Sequence, residues 1–335
     1  MTSLLLSVLL PARDSQATLG ETLESLARQT RPDFEVIAVD DGSRDDTAAI
    51  LEAWASRDRR FKAVRGPARG ISAALNAGLR HCRGAFIARM DADDIARPTR
   101  FERQLAELEA HPELAAVGSQ VEIFPRERMT PGLLGYESWL NSLTSPEAIA
   151  RECFVESPLV HPAATIRASA LADVGGWRDE GWPEDYALWL EMLSRGFAVS
   201  NVAEVLFRWR DRPDRLTRTH PDYEPAAHLR LKARYLARMR LPQGSCIVWG
   251  AGKTGRALRR ALQAENVEVE QFVDIDPAKI GRPLHGIPVV SPDGLGSYSG
   301  TPLVAAVGAK GARALIREHL SKKGWVETEQ FTCVG

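Results

Sequence analysis

The chain lacks the features by which several function classes declare themselves. Its four cysteines, Cys82, Cys153, Cys246 and Cys333, form no CxxC pair and no Cys/His ligand spacing. That excludes a disulfide scaffold and a structural zinc site and points to a reducing compartment. Charge of one sign is also missing. With 43 basic and 44 acidic residues the net charge is −1, so no basic field invites nucleic acid. No apolar run approaches the roughly 20 residues of a membrane span. The opening stretch MTSLLLSVLLPARD has a faint likeness to a signal peptide. It lacks a basic start and a small-residue cleavage site, and reads better as a buried parallel strand. These absences predict a cytoplasmic protein, one that reaches a membrane only peripherally, at its inner surface.

What is present is alternation. A chain of 335 residues is about right for two domains. In the first 125 residues, apolar runs (LLLSVLLP, FEVIAVDD, FKAVRG, AFIARMD, LAAVGSQVEIF) are separated by helical patterns. One of these places Leu19, Leu23 and Leu26 on one face; another opens at Ser43 with Asp46 three residues on, a capping-box spacing. Such alternation predicts a mostly parallel sheet covered on both faces, with ligands outside the carboxyl ends of the strands. Residues 126–160 read as irregular, and FAVSNVAEVLFRW as a terminal strand pair. RDRPDRLTRTHPDYEP reads as a flexible loop. The expected organisation is a first domain over 1–222, a basic connecting helix and linker over 223–243, and a smaller Rossmann-like α/β domain over 244–335.

The first strand ends in LPARDSQATL, without a glycine, so backbone amides there cannot cradle a phosphate closely. The same rim instead carries acids: Asp40 and Asp41 end one strand, and Asp91, Asp93 and Asp94 follow another. Neighbouring carboxylates repel one another. They also repel a diphosphate unless a divalent cation lies between, and oxygen-only ligands suit Mg²⁺ or Mn²⁺. A DxD triplet alone is weak, expected by chance about once in a chain of this length; Asp274 and Asp276 form a second. One of Asp93 and Asp94 could instead cap the helix that follows, but a cap needs only one acid. In the C-terminal part, Gly250, Gly252 and Gly255 of GAGKTG join strand to helix, and Asp274 ends the next strand. That is the dinucleotide-binding fingerprint in its required context.

The motifs LSVLLPARDSQATLGETLESLARQT, FEVIAVDDGSRDDT, RGISAALNAGL and GAFIARMDADDIARPTRFERQ resemble the family 2 glycosyltransferases, which have the GT-A nucleotide-sugar fold. The likeness resumes at HPAATIRASALADVGGW and WPEDYALWLEML. It implies inverting, metal-dependent transfer of a sugar from a nucleoside-diphosphate donor, favouring a UDP-sugar, to a hydroxyl acceptor that is a saccharide, a lipid-linked sugar or a protein. The setting implied is polysaccharide or glycoconjugate biosynthesis. By motif match, Pro11 lines the base pocket and Asp40 and Asp41 contact base and ribose. Asp91 and Asp93, with Ala92 between them, hold ribose and metal. Asp185, beside Glu184 at a helix start, deprotonates the acceptor. His161 matches a position near the donor, though a satisfied structural histidine is the better reading there. The family often has an aromatic and Asn after the strand-one proline; here Ala12, Arg13 and Asp14 follow, and Arg13 could stack on the base or reach phosphate, while Arg69 and Asn76 are candidates to face the nucleotide. Arg208 and Arg210 are candidates for a diphosphate clamp.

The C-terminal part resembles the small Rossmann-type modules of polysaccharide-biosynthesis enzymes, which implies a bound nucleotide or a purely structural role. The helix AAHLRLKARYLARMRL reads either as a connector or as a contact with an anionic membrane. Three rival readings follow from the residues. They are an NAD(P)-dependent oxidoreductase working through GAGKTG, a non-catalytic sugar-nucleotide binding module, and a nucleotidyltransferase. The last is disfavoured by the missing glycine loop after the first strand.

Overall fold

The computed structural model of the chain describes residues 6–296, 298 and 300–335. The first strand, β1 (Leu6–Ala12), is buried along its whole length, and residues 1–5 of the leader-like stretch lie outside the described residues. The strands β2 (Phe34–Asp40), β3 (Phe61–Arg65) and β4 (Phe86–Arg89) follow, with helices Leu19–Ala27, Thr47–Arg57 and Ile71–Leu79 between them. Next come β5 (Ile95–Ala96), helix Arg100–Ala110, β6 (Leu114–Phe124), β7 (Thr165–Arg167) and β8 (Ala198–Arg210). They form one eight-stranded sheet in the order β3-β2-β1-β4-β7-β6-β8-β5.

The first four neighbours pair in parallel, as the two-sided apolar runs of β1 and β2 require. Their register matters most for the site. Ala12 lies opposite Asp40, and Leu9 opposite Arg89, so β1, β2 and β4 end at one rim. Helix Ile71–Leu79 reaches close to this sheet because Gly78 has no side chain. A Cβ there would lie 2.4 Å from Leu9 Cδ1 and 2.6 Å from Val39 Cγ2.

Three local expectations change. Residues 126–160 are not simply irregular: they contain helices Pro131–Asn141 and Pro146–Glu152. Thr130 caps the first, its hydroxyl accepting from Leu133 N at 3.2 Å, with proline in the first turn. FAVSNVAEVLFRW is one strand rather than a pair; β8 absorbs its extra residues through register shifts against β6 around Ser119 and Gln120. Ser43 does not cap the second helix. That helix begins at Thr47, and the Ser43 hydroxyl instead accepts from Asp14 N at 3.0 Å.

By contacts the chain forms two compact units. One comprises Met1–Ile149, Pro158–Glu180 and Glu184–Arg218; the other comprises Ala150–Ser157, Gly181–Pro183 and Thr219–Gly335. The second unit has an all-parallel sheet of β9 (Ser245–Trp249), β10 (Glu268–Val273), β11 (Val289–Val290), β12 (Leu303–Ala305) and β13 (Phe331–Cys333), in the order β11-β10-β9-β12-β13. Helices Lys253–Ala264 and Ala312–Lys322 belong to this unit, as does the basic helix Pro225–Met239. Trp249, Val273, Leu303, Leu320 and Phe331 are among its core residues.

Candidate functional site

The rim where β1, β2 and β4 end carries the predicted acids. Asp91, Asp93 and Asp94 each offer a carboxylate oxygen, and these atoms all lie within 4.8 Å of one another. Among the described residues this is the one such cluster of potential metal-binding side chains. The loop that bears it is fixed from helix Leu19–Ala27 and the residue before it. Thr18 Oγ1 donates to Ala92 O at 3.0 Å, and Thr22 Oγ1 to Asp94 O at 2.9 Å.

The three acids sit differently. Asp91 is paired from below by Arg89, Nη2 to Oδ1 at 2.6 Å, and Arg89 is 1% exposed. Arg89 also donates to the carbonyl of Met90. Asp93 is ion-paired with Arg212 at 3.2 Å. Burial, then the charge of Asp91, raises its pKa, while Arg212 works the other way. Asp94 is 1% exposed; its Oδ1 accepts from Arg210 N at 2.7 Å, while its buried Oδ2 has no hydrogen-bond partner. Burial, with Asp93 and Asp91 adding to it, pushes the Asp94 carboxyl well above the usual range. A buried acceptor without a donor, among two further carboxylates, is what a hard cation satisfies. The residues present therefore fit a divalent ion. Asp94 does not cap the following helix, whose N-cap is Thr99.

Below the acids lies a second buried guanidinium. Arg100 donates to Gln104 Oε1 at 3.1 Å and to Arg89 O at 2.8 Å, and burial lowers its pKa to about 9. Neither Arg89 nor Arg100 stood out in the sequence. The available signal, for Arg89 alone, was an arginine inside a strand otherwise buried on both faces, a place where a cation needs an anion.

The other predicted residues divide. Pro11 lies in β1 opposite Val39, and Arg13, half exposed, follows two residues on at the same end. Asp40 ends β2, its Oδ1 accepting from Ser43 N at 3.1 Å. Asp41 is buried and commits both oxygens to backbone, Oδ2 to Gly70 N at 2.8 Å and Oδ1 to Arg69 N at 3.4 Å. It shapes the loop that brings Arg69 to the rim. Asn76 is occupied elsewhere: Nδ2 donates to Trp177 O at 2.6 Å and Oδ1 accepts from Trp177 N at 3.2 Å. Trp177 in turn donates from its indole to His161 Nε2 at 2.8 Å. An indole is only a donor, so His161 carries its proton on Nδ1, which faces Glu184 Oε1 at 3.9 Å. Burial, with Arg89 adding to it, keeps the His161 pKa well below its usual value. Glu184 and Asp185 open helix Glu184–Ser194, and Asp185 Oδ1 accepts from Tyr186 N at 2.7 Å. Arg210 donates from Nε to Asp93 O at 2.6 Å and pairs with Glu21, while Arg208 pairs with Glu122 at 3.5 Å.

In the second unit the fingerprint has its expected shape. A Cβ on Gly255 would lie 1.7 Å from Gly250 O, so only glycine lets the helix meet the loop. A Cβ on Gly252, at the N-cap of helix Lys253–Ala264, would meet nothing within 4 Å. Asp274 is buried, with Oδ2 accepting from Ala251 N at 2.8 Å and Oδ1 from Asp276 N at 2.9 Å; Lys279 Nζ lies 3.1 Å from Oδ2.

Residues 7–175 match the family Glycosyl transferase family 2. The chain belongs to that family. Residues 242–321 match the CoA binding domain family, in accord with the Rossmann-like second sheet. The transferase is 31% identical over 199 residues to the amylovoran biosynthesis glycosyltransferase AmsE of Erwinia amylovora, covering 59% of this chain and 72% of that one. It is 32% identical over 203 residues to the UDP-Gal:alpha-D-GlcNAc-diphosphoundecaprenol beta-1,3-galactosyltransferase of Escherichia coli, covering 59% and 70%. The solved structure of S. aureus TarS residues 1–349 in complex with UDP-GlcNAc superposes with a TM-score of 0.59 at 20% identity, covering 77% of this chain and 71% of that one. That likeness shows a shared fold. The transferase is thus a glycosyltransferase with a GT-A-type domain followed by a Rossmann-like one. No described helix is long and apolar enough to cross a membrane.

Proposed function

We propose that this glycosyltransferase moves a sugar from a UDP-sugar to a hydroxyl of a saccharide or lipid-linked acceptor, with inversion, in polysaccharide or glycoconjugate biosynthesis. The observation that carries the reading is the acidic cluster at the rim, with the buried, donor-less Asp94 Oδ2 beside Asp91 and Asp93. Support for the donor comes from the relative whose name specifies UDP-Gal and a diphosphoundecaprenol acceptor.

Asp91 and Asp93 would hold Mg²⁺ or Mn²⁺, which when bound supplies positive charge to a departing diphosphate. The chain's own residues do the rest. Pro11 and Asp40, with the loop tied down by Asp41, receive base and ribose, and Arg13 and Arg69 flank them. Arg89 holds Asp91 in place, and Arg210 and Arg212 lie beside Asp93 and Asp94 where diphosphate charge would develop. Asp185 takes the proton of the acceptor hydroxyl. The freed oxygen bonds to the anomeric carbon as the bond from that carbon to the diphosphate oxygen breaks, and the nucleoside diphosphate leaves with the electron pair.

The test is a thermal-shift panel of UDP and UDP-sugars with and without Mn²⁺. Stabilisation that requires the metal supports the reading. Equal stabilisation in EDTA removes it.

For the second unit we propose a phosphate-bearing ligand at the open N-terminus beside Gly252. A ribose contact through Asp274 would require Lys279 to move, because both carboxylate oxygens are engaged. Calorimetry against NAD(P), UDP-sugars and acyl-CoA tests this, and silence for all of them favours a structural module. The oxidoreductase alternative would place the chemistry here, and family membership argues against it.

A further inference from the structure

The chain leaves the first unit twice before its final exit, at Ala150–Ser157 and at Gly181–Pro183, and both short segments belong to the second unit. Each excursion returns just ahead of a residue of the site: Pro158 leads to His161, and Pro183 is bonded directly to Glu184, the neighbour of Asp185. The hooks that hold them lie on and just after the basic helix Pro225–Met239. Arg230 Nη2 donates to Gly181 O at 3.1 Å, and the Arg234 guanidinium lies over the Trp182 ring, 5.6 Å from its centroid. Residues four apart share a helical face, so the two arginines grip consecutive residues of one tripeptide. Between them, Lys232 is buried and donates from Nζ to Val155 O at 2.7 Å. Arg240, one residue past the helix, donates to Ala150 O at 3.2 Å. Within the first excursion Glu152 is buried and ion-paired with Arg317 at 2.8 Å.

The tripeptide suits such a grip. Gly181 has φ +76°, a region that favours glycine, and Trp182 precedes a proline that biases it to an extended backbone. Once Gly181 O and the Trp182 ring are held, little rotational freedom is left before the helix that bears Asp185 begins. The positive charge of the basic helix thus has a local use that neither a connector nor a membrane contact requires.

We propose that Arg230 and Arg234 are positioning residues for the acceptor base: by holding Gly181–Trp182 they set where helix Glu184–Ser194 starts and where Asp185 points. This rests on the reading of Asp185 as the base.

The experiment uses the full chain with Mn²⁺ and a lipid-linked N-acetylglucosamine diphosphate as acceptor, and measures acceptor-dependent UDP release from UDP-galactose or UDP-N-acetylglucosamine. In Arg230→Ala/Arg234→Ala, kcat falls about 10–100-fold, as expected when a reacting group is misplaced by about an ångström. The KM for donor and the Mn²⁺-dependent thermal shift by UDP stay within about twofold in that variant, since the donor rim is untouched. Arg230→Lys recovers most of the rate, because one donor to Gly181 O suffices. Trp182→Leu removes the Arg234 contact from the other side and lowers kcat in the same way if the double variant folds poorly. Wild-type kcat in the double variant and in Trp182→Leu overturns the proposal, as does a rise in KM at unchanged kcat. Full UDP release by Asp185→Asn would instead defeat the base assignment, whatever the arginine variants do.

Discussion

Arg89 and Asp91 lie 2.6 Å apart, and the arginine is 1% exposed. The pair is a strut: a guanidinium inside the sheet holds the first acid of the rim cluster, and Arg100 donates to the carbonyl of that same arginine. Asp91 is 32% exposed, so water takes up part of what the arginine supplies, and Arg89→Met is expected to cost about 1–3 kcal/mol. Urea unfolding measures this, and a loss below about 1 kcal/mol would show that Asp91 holds its place unaided.

The acids above the strut should act in metal binding. Asp93→Asn is expected to lower transfer about 10²–10³-fold, in the range seen when a major electrostatic contributor is lost. It should also abolish the Mn²⁺-dependent stabilisation by UDP. Asp94→Asn keeps an oxygen for Arg210 N and is expected to weaken Mn²⁺ binding about 10–100-fold. Metal titration of both variants checks this, and unchanged affinity in both would place the ion elsewhere.

Asp185→Asn should separate binding from chemistry. The Mn²⁺-dependent thermal shift by UDP stays at its wild-type size, while transfer falls below detection. Retained transfer would remove Asp185 from the reaction.

Asn76 offers the opposite pattern. Both of its amide atoms serve the backbone of Trp177, so Asn76→Ala leaves buried groups without partners. The expected cost is about 1–3 kcal/mol of stability. UDP affinity stays within about twofold, because the side chain has no spare atom for a nucleotide. A loss of affinity at unchanged Tm would return Asn76 to the donor site.

A buried carboxylate far from the chemistry predicts the acid limit of the fold. Burial opposes ionisation of Glu35, but Lys62, Arg83 and Ser7 outweigh it and hold its pKa down at about 2. A pKa lowered on folding means that the unfolded chain binds the proton more readily. The stability from this group is complete above the usual glutamate value near 4.5 and is lost as pH falls from there towards about 2. The full effect is on the order of 3 kcal/mol. Glu35→Gln should be less stable at pH 7 and show a flatter decline between pH 5 and 3. Parallel pH profiles for both proteins would deny Glu35 this role.

Much of the architecture was open to reading because it depends on neighbours in sequence. Apolar runs and helical periodicity marked the parallel strands, and the acids after β4 and the glycines after β9 lay where strand ends are legible. The errors were local as well. The helix behind Thr130 carried a Thr-Pro start signal, and Ser43 had the right spacing for a cap but turned its hydroxyl to Asp14 N.

By itself, the order of residues determined the strand and helix alternation, the acidic rim and the glycine loop, since each is dictated by side-chain period and backbone freedom within a few residues. Only the tertiary structure decided which polar groups answer one another. Asn76 meets Trp177 101 positions away, Arg210 meets Asp94 across 116, and Arg230 reaches Gly181 across 49. A hydrogen bond depends on distance in space, and no periodicity along the chain records which distant atoms the packed core brings within hydrogen-bonding reach.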